Sequence, residues 1–337
     1  MKKKILLVGG CGFIGHNLAL YLKKVGHDPV IVDSLSVNNL YAQNNDAINA
    51  NLYKSILLER IRLINKNNIN LIIQDARDYQ ASSKIYAKIN PDIIIHLAAV
   101  SHANKSNKDP HTTFDHSLRT LENTLDYARH EKKHVIYISS SMVYGNFESD
   151  SVDETDKCNP IGIYGSLKLS GEIIVKSYNQ VFDLPYTIIR PSALYGERCV
   201  SRRVGQVFIE NLLNEKDIII NGDGNEKLDF TYIDDLTDGI EKCCINKNAI
   251  NETFNLTFGN SRPINDLIKI LKNKFGEFKV SMMPKDKLNP ERGTLNTEKA
   301  KKLLNYQPQY ELDRGYEQYI NWYQDFYKIF LKNEQIT

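Results

Sequence analysis

The sequence predicts an α/β protein built on a doubly wound parallel sheet, and three observations carry that prediction. Short apolar runs of strand length recur between residues 4 and 190, separated by segments with helical apolar spacing. The first run, Lys4-Ile5-Leu6-Leu7-Val8, leads directly into Gly9-Gly10-Cys11-Gly12-Phe13-Ile14-Gly15, a G-x-x-G-x-x-G turn. Residues 16–25 then place apolar side chains at helical spacing.

Strand, glycine turn and helix form the first half of a dinucleotide-binding unit. Gly9 allows the tight turn, Gly12 lets the backbone approach a pyrophosphate, and Gly15 lets the helix pack on the strand. The helix N-terminus offers free N–H groups and a positive dipole end to the phosphates. A second strand, Pro29-Val30-Ile31-Val32, ends in Asp33, near the spacing at which an acid holds the adenosine ribose hydroxyls. A carboxylate there repels a 2′-phosphate, so the pattern predicts NAD rather than NADP. Residues 34–50 read as a polar loop and 52–65 as a helix. The third strand, Ile69–Ile73, ends in Gln74-Asp75. Asp75 either receives the adenine amino group or acts as a helix cap or solvated loop acid.

Ile93-Ile94-Ile95-His96-Leu97-Ala98-Ala99 is continuously apolar, as a central strand buried on both faces requires. Its small residues, Ala98 and Ala99, leave room for a cofactor at the strand end. A helix over about 111–131 follows, then strand Val135–Ile138 ending in Ser139-Ser140-Ser141. A helix over 163–181 and strand Tyr186–Arg190 complete the alternation. The result is a Rossmann-like sheet with right-handed crossovers and ligands outside the strand C-terminal ends.

After Arg190-Pro191 the alternation stops. A helix over 205–214, a strand at 218–220 and a turn at Asn221-Gly222-Asp223-Gly224 introduce a smaller C-terminal α/β lobe that binds substrate. The expected division is 1–190, with a returning segment at about 229–260, for the dinucleotide domain, and 191–228 with 261–337 for the lobe. Residues 261–337 read as short helices and strands broken by prolines 263, 284, 290 and 308. Tyr316, Tyr319, Trp322, Tyr323, Phe326 and Tyr327 recur at helical spacing, as core-facing aromatics do.

The 337 residues are 42% apolar and 25% charged, the composition of a folded chain with a sizeable core. Forty-three basic and 41 acidic residues leave a net charge of +2, which argues against nucleic acid or a membrane surface as partner. No apolar run approaches membrane-spanning length. The basic, apolar start imitates a signal peptide, but the Gly-Gly-Cys-Gly that follows fits a strand and turn. Five cysteines without metal spacing, and odd in number, suit a reducing cytoplasm and predict no metal site.

The chemistry rests on Tyr164-Gly165-Ser166-Leu167-Lys168, which sets a phenol and an ammonium at i and i+4 on one helix face. The lysine charge is expected to draw the phenol pKa down toward the working pH. Such a tyrosine takes a proton from an alcohol while hydride leaves to nicotinamide, and returns it later. Ser140, at the preceding strand end, can hydrogen-bond the same oxygen.

Together these pieces resemble the extended short-chain dehydrogenase/reductases, specifically the NAD-dependent nucleotide-sugar epimerase/dehydratase group. The likeness is carried by Gly9-x-x-Gly12-x-x-Gly15, Asp33, Asp75, His96–Ala99, Ser139–Gly145, Tyr164-x-x-x-Lys168, Arg190–Gly196, Gly222-Asp223-Gly224 and Asp229–Asp235, in order from residue 4 to about 320. The resemblance implies Tyr164 as acid/base, Lys168 as holder of the nicotinamide ribose, and Ser140 as the substrate hydrogen-bonder. The cofactor set then comprises the three glycines with Phe13, Ile14, Asp33, Asp75, Ala76, Leu97, Ala98, Ala99, Tyr164, Lys168 and Pro191. The substrate set, for a nucleotide-diphosphate sugar, comprises Ser101, His102, Ser140, Ser141, Ser192, Arg202, Arg203 and Arg292. Helices matching 107–131 and 161–181 commonly pair in this family, which implies a homodimer.

Departures from the family pattern narrow the reaction. Its 4,6-dehydratases carry an Asp-Glu pair where Ser141-Met142 stands, and methionine supplies neither acid nor base, so dehydration is disfavoured. Ala193 and Leu228 replace an Asn and an Arg that help hold the diphosphate. Lys227, Arg292 or the basic loop Arg198-x-x-x-Arg202-Arg203 would have to supply that charge. His116 stands where the family has an Asn in the long helix; it either substitutes for that Asn or packs within the helix. The leading expectation is a nucleotide-sugar 4-epimerase working through a transient 4-keto sugar. A 4-dehydrogenase or 4-keto reductase with net redox change, and a catalytically inactive NAD-binding protein, are the competitors.

Overall fold

The computed structural model describes residues 2–42, 49–101, 103–285 and 288–334. Seven parallel strands form the central sheet: β1 (Lys4–Val8), β2 (Asp28–Asp33), β3 (Asn70–Ile73), β4 (Ile93–His96), β5 (His134–Ile138), β6 (Tyr186–Arg190) and β7 (Glu252–Asn255). Their spatial order is β7-β6-β5-β4-β1-β2-β3, so the winding direction reverses between β1 and β4. A crevice at that reversal is where a doubly wound sheet binds its ligand.

Because side chains alternate along a strand, each apolar run feeds two cores. Ile5, Leu7, Ile31, Ile93, Ile95, Ile136 and Ile138 point to one face, with residues of α1 (Phe13–Lys24) and α2 (Ala50–Lys66). Leu6, Val8, Val30, Val32, Ile94, Val135 and Ile188 point to the other. That second face is covered by α3 (Tyr79–Ile89), by the helical stretch 110–130 and by the long helix Gly162–Phe182. Each of these isoleucines and leucines, fully buried, stabilises the fold by about 1.5–3 kcal/mol.

The helix expected over 111–131 is interrupted. After a short α4 (Ala103–Lys108), α5 (Pro110–Phe114) passes into a π-helical turn at Asp115–Arg119, and α6 (Thr120–His130) resumes. The Thr120 hydroxyl donates to the His116 carbonyl at 2.9 Å and so satisfies a group that the wider turn exposes. α7 (Gly162–Phe182) matches the expected helix closely.

The chain beyond β6 is more regular than the prolines suggest. α8 (Val204–Leu213) and α9 (Ile233–Ile245) precede β7, which returns to pair with β6. α10 (Ile264–Phe275) and α11 (Glu298–Leu304) follow, and the chain ends not in short pieces but in α12 (Leu312–Glu334), 23 residues long. Pro308 lies just before this helix rather than within it. Tyr316, Tyr319 and Tyr323 are fully buried, as their spacing requires. Tyr323 donates to Glu210 Oε1 and Tyr53 to Glu210 Oε2, both at 2.6 Å, so one buried carboxylate ties α2, α8 and α12 together.

Candidate active site

A cleft of about 310 Å³ opens at the strand C-terminal ends around the β1/β4 reversal. At one end the backbone shapes it. Gly9 has φ 80°, and a Cβ there would sit 2.6 Å from the Ala98 nitrogen. A Cβ on Gly15 would meet Gly10 Cα at 2.6 Å, which is how α1 comes so close to the turn. Gly12 leaves its face open, its nearest neighbour for an added Cβ being Gly9 O at 3.4 Å. Gly12 caps α1 without a side-chain bond, so the first N–H groups of the helix face the cleft with Phe13 and Ile14.

Asp33 and Asp75 line the same end, with Ala76, Leu97, Ala98 and Ala99. Asp33 accepts the Cys11 N–H at 2.8 Å and the Leu35 N–H at 2.7 Å. Burial pushes its carboxyl up, and those two bonds with the nearby Arg60 oppose the rise. Asp75 is less free than the adenine reading assumed. Arg77 clasps both its oxygens, the shortest contact being 2.6 Å, and also reaches Asp115. Against the effect of burial, those bonds hold the Asp75 carboxyl below the usual range. The glycine cradle, the bare helix N-terminus and the acid at the β2 end fit a bound dinucleotide.

Ser139, Ser140 and Ser141 follow β5, and Tyr164 and Lys168 face them across the cleft from α7. Ser140 caps a one-turn helix at 141–143 by accepting the Met142 N–H at 3.2 Å. Gly165 lets α7 approach this turn, since a Cβ would lie 2.7 Å from Met142 O. Lys168 is engaged at the strand end. Its Nζ donates to Ile138 O at 2.7 Å and lies 5.1 Å over the Tyr137 ring. Burial lowers the Lys168 pKa to about 8, opposed by Glu172. The Tyr164 phenol is itself raised by burial, and the groups drawing it down are the Arg203 cation and the Ser140 hydroxyl. The Lys168 ammonium is thus anchored at the β5 end.

At the other end side chains shape the cleft. Ser101, Ser141, Ser192, Arg203 and Arg292 all line it, as does Pro191. Ser192 Oγ and Arg292 Nε are buried without a protein partner. Arg203 donates to Ser101 O at 3.3 Å, and burial with the Arg203 charge lowers the Arg292 pKa to about 10. Arg202 does not join them. It is exposed, lies outside the cleft lining, and bonds Gln206 through its backbone N–H. Arg198 is turned to α1, where it meets His16 Nε2 at 3.0 Å and Asn17 Oδ1 at 2.6 Å. Lys227 lies outside the lining too. His102 falls outside the described residues. His116 does line the cleft, from the π turn.

Sequence reasoning missed Asn38, Val200, Ser201 and Asn289 in the lining, whereas Asn104 lies there within the 101–106 segment that resembles a sugar-pocket stretch of the family's dehydratases. Asn38 alone had a signal, its place in the polar loop directly after the β2 acid.

Comparison with known proteins agrees with this geometry. The model of the NAD dependent epimerase/dehydratase family matches residues 5–257. A putative UDP-glucose 4-epimerase of Methanocaldococcus jannaschii is 30% identical over 332 residues, covering 94% of this chain and 97% of its own. Protein CapI of Staphylococcus aureus is 26% identical, covering 96% and 99%. Among solved structures, the UDP-glucuronic acid 4-epimerase of Bacillus cereus, in complex with UDP-glucuronic acid and NAD, has a TM-score of 0.86 at 28% identity, over 96% of this chain and 100% of that one. No described helix is long and apolar enough to cross a membrane.

Proposed function

Because the chain belongs to the NAD dependent epimerase/dehydratase family, we propose that it is a nucleotide-sugar 4-epimerase. The observation that carries this reading is the convergence of Ser140, Tyr164 and Lys168 on one cleft whose far end is a dinucleotide cradle. Relatives described as 4-epimerases of UDP-glucose and UDP-glucuronate support the nucleotide-sugar class.

NAD, when bound, supplies the hydride acceptor and donor at the sugar C4. Tyr164 takes the C4 hydroxyl proton and later returns it. Ser140 hydrogen-bonds the same oxygen, steadying it as a carbonyl forms. The Ser140 hydroxyl and the Arg203 charge favour the phenolate that Tyr164 needs. Lys168, bonded to Ile138 O in the cleft wall, would hold the nicotinamide ribose. Arg292 and Arg203 face the diphosphate with charge-assisted donors. Met142, also in the lining, offers no acid or base for eliminating water, which favours hydride return over dehydration.

The test is incubation of NAD-loaded protein with UDP-glucose, UDP-glucuronate and UDP-N-acetylglucosamine. Epimerisation of one of them without NADH build-up is expected. Stoichiometric NADH accumulation would replace this reading with net oxidation, and no reaction with any would reject it. We read the assembly as a homodimer, with exposed Phe114, Ile173 and Val181 on α5 and α7 at the pairing face. Light scattering should give twice the chain mass, and a monomer would reject it.

A further inference from the structure

Behind the catalytic wall lies a buried ion pair that the reaction scheme does not use. Glu172 and Arg190 are 1% and 3% exposed. Arg190 Nη2 donates to Glu172 Oε2 at 2.7 Å, and its Nε to Oε1 at 2.9 Å. Such bidentate geometry fixes both partners in orientation as well as distance. Three neighbours complete the network. The Ser139 hydroxyl donates to Glu172 Oε1 at 2.6 Å. Arg190 Nη1 donates to the Tyr144 hydroxyl at 2.9 Å, and that hydroxyl donates to Asn255 Oδ1 at 2.8 Å.

The placement of these residues is what gives the network meaning. Glu172 lies on α7, one turn beyond Lys168 and two beyond Tyr164. Ser139 precedes Ser140 at the β5 end. Arg190 ends β6 and precedes Pro191, which lines the cleft. A single carboxylate therefore joins the helix that carries Tyr164 and Lys168 to the strand end that carries Ser140. We propose that Glu172 is a positioning residue of the reaction: clamped by Arg190, it holds Ser140 in register with Tyr164 and presents the negative charge that faces Lys168. This rests on the epimerase reading above.

The other titratable groups around Lys168 do not supply that charge. Tyr137 lies beneath it from β5, and burial lifts that phenol far above its ordinary range. His96, from β4, is lowered to about 3 by burial and by Lys168 itself, so it is neutral at working pH. Tyr164, on the same helix, is raised by burial. Among the described residues the only group raising the Lys168 pKa is Glu172. The sign follows directly. Lys168 loses its proton as pH rises through about 8, so turnover that needs the ammonium falls on the alkaline side. Removing the Glu172 charge moves that fall to lower pH.

The experiment compares wild type with Glu172→Gln and with Glu172→Gln/Arg190→Gln. The double change removes the lone buried guanidinium that could unfold the single variant. Two quantities are read. One is the pH at which Lys168 is half-acylated by acetic anhydride in NAD-free protein, followed by peptide mass spectrometry. The other is the pH profile of kcat and KM for the nucleotide sugar that the wild type epimerises. We expect a wild-type midpoint near 8, a lower midpoint in both variants, and a kcat loss of ~10-fold or more with KM within ~3-fold. An unmoved midpoint and alkaline limb, or full recovery of rate in the double variant, would show that the pair serves only folding. Should neither variant fold, Ser139→Ala removes the hydroxyl that ties the Ser140 strand end to Glu172, and a kcat equal to wild type would overturn the proposal. Undiminished turnover by Lys168→Met would instead reject the underlying catalytic reading.

Discussion

Gly9, Gly12 and Gly15 shape the cofactor end of the cleft with main-chain atoms, whereas Ser192, Arg203 and Arg292 shape the substrate end with side-chain tips from separate segments. At the first end seven consecutive residues set the turn, and a Cβ added to Gly9, Gly12 or Gly15 would meet backbone atoms at 2.6–3.4 Å. At the second, Ser101, Ser192, Arg203 and Arg292 come from residues as much as 191 positions apart, and two of their polar atoms have no protein partner. The cofactor end is thus rigid by construction, as one shared ligand allows. The substrate end is set by loops and long side chains, which is where members of one fold diverge in specificity.

The comparison predicts separable losses. The largest belongs to the wall where the two ends meet: Tyr164→Phe should lower kcat by ~10³-fold or more while NAD affinity stays within a few-fold. Measured turnover close to wild type would break the scheme. Next is Arg292→Met, which removes a charged donor at the substrate end only. The KM should rise ~10–100-fold with kcat and NAD binding little changed, corresponding to the loss of one charged hydrogen bond. Parallel loss of NAD affinity would show that the two ends are not independent.

Asp33→Ala tests the cofactor end. NAD affinity should fall ~10-fold and discrimination against NADP should relax, as titration by intrinsic fluorescence would show. Equal wild-type affinity for the two dinucleotides would contradict the role given to this acid. The smallest effect is expected for Arg202→Ala. Because Arg202 lies outside the cleft lining, kcat/KM should stay within ~2-fold. A loss matching that of Arg203→Ala would mean the loop rearranges on binding.

The same contrast governs what the sequence could reveal. The glycine turn, Asp33 and the Tyr164/Lys168 pair were legible because each is local: a turn, a strand end and an i,i+4 helix face. The anchoring of Lys168 was not, since its Nζ bonds Ile138 O, a contact 30 residues away. Arg202 and Arg203 are indistinguishable in sequence. In the fold Arg202 adopts φ 49°, and its neighbour alone enters the cleft. The π turn at Asp115–Arg119 and the length of α12 were also hidden, because apolar periodicity does not report hydrogen-bond register or rule out helix after a proline. The part played by the Asp229–Asp235 motif was hidden as well: Asp229 accepts Leu295 and Gly259 N–H groups while Asp235 accepts those of Gln309 and Tyr310. They fasten segments together, and only the tertiary structure says so.

The most direct test follows the hydrogen on the sugar C4. A nucleotide sugar carrying deuterium at that carbon should be epimerised by the NAD-loaded protein with the label still at C4 of the product, because the same hydride leaves and returns. Replacement of the label by solvent hydrogen would contradict an oxidation and reduction confined to one bound cofactor.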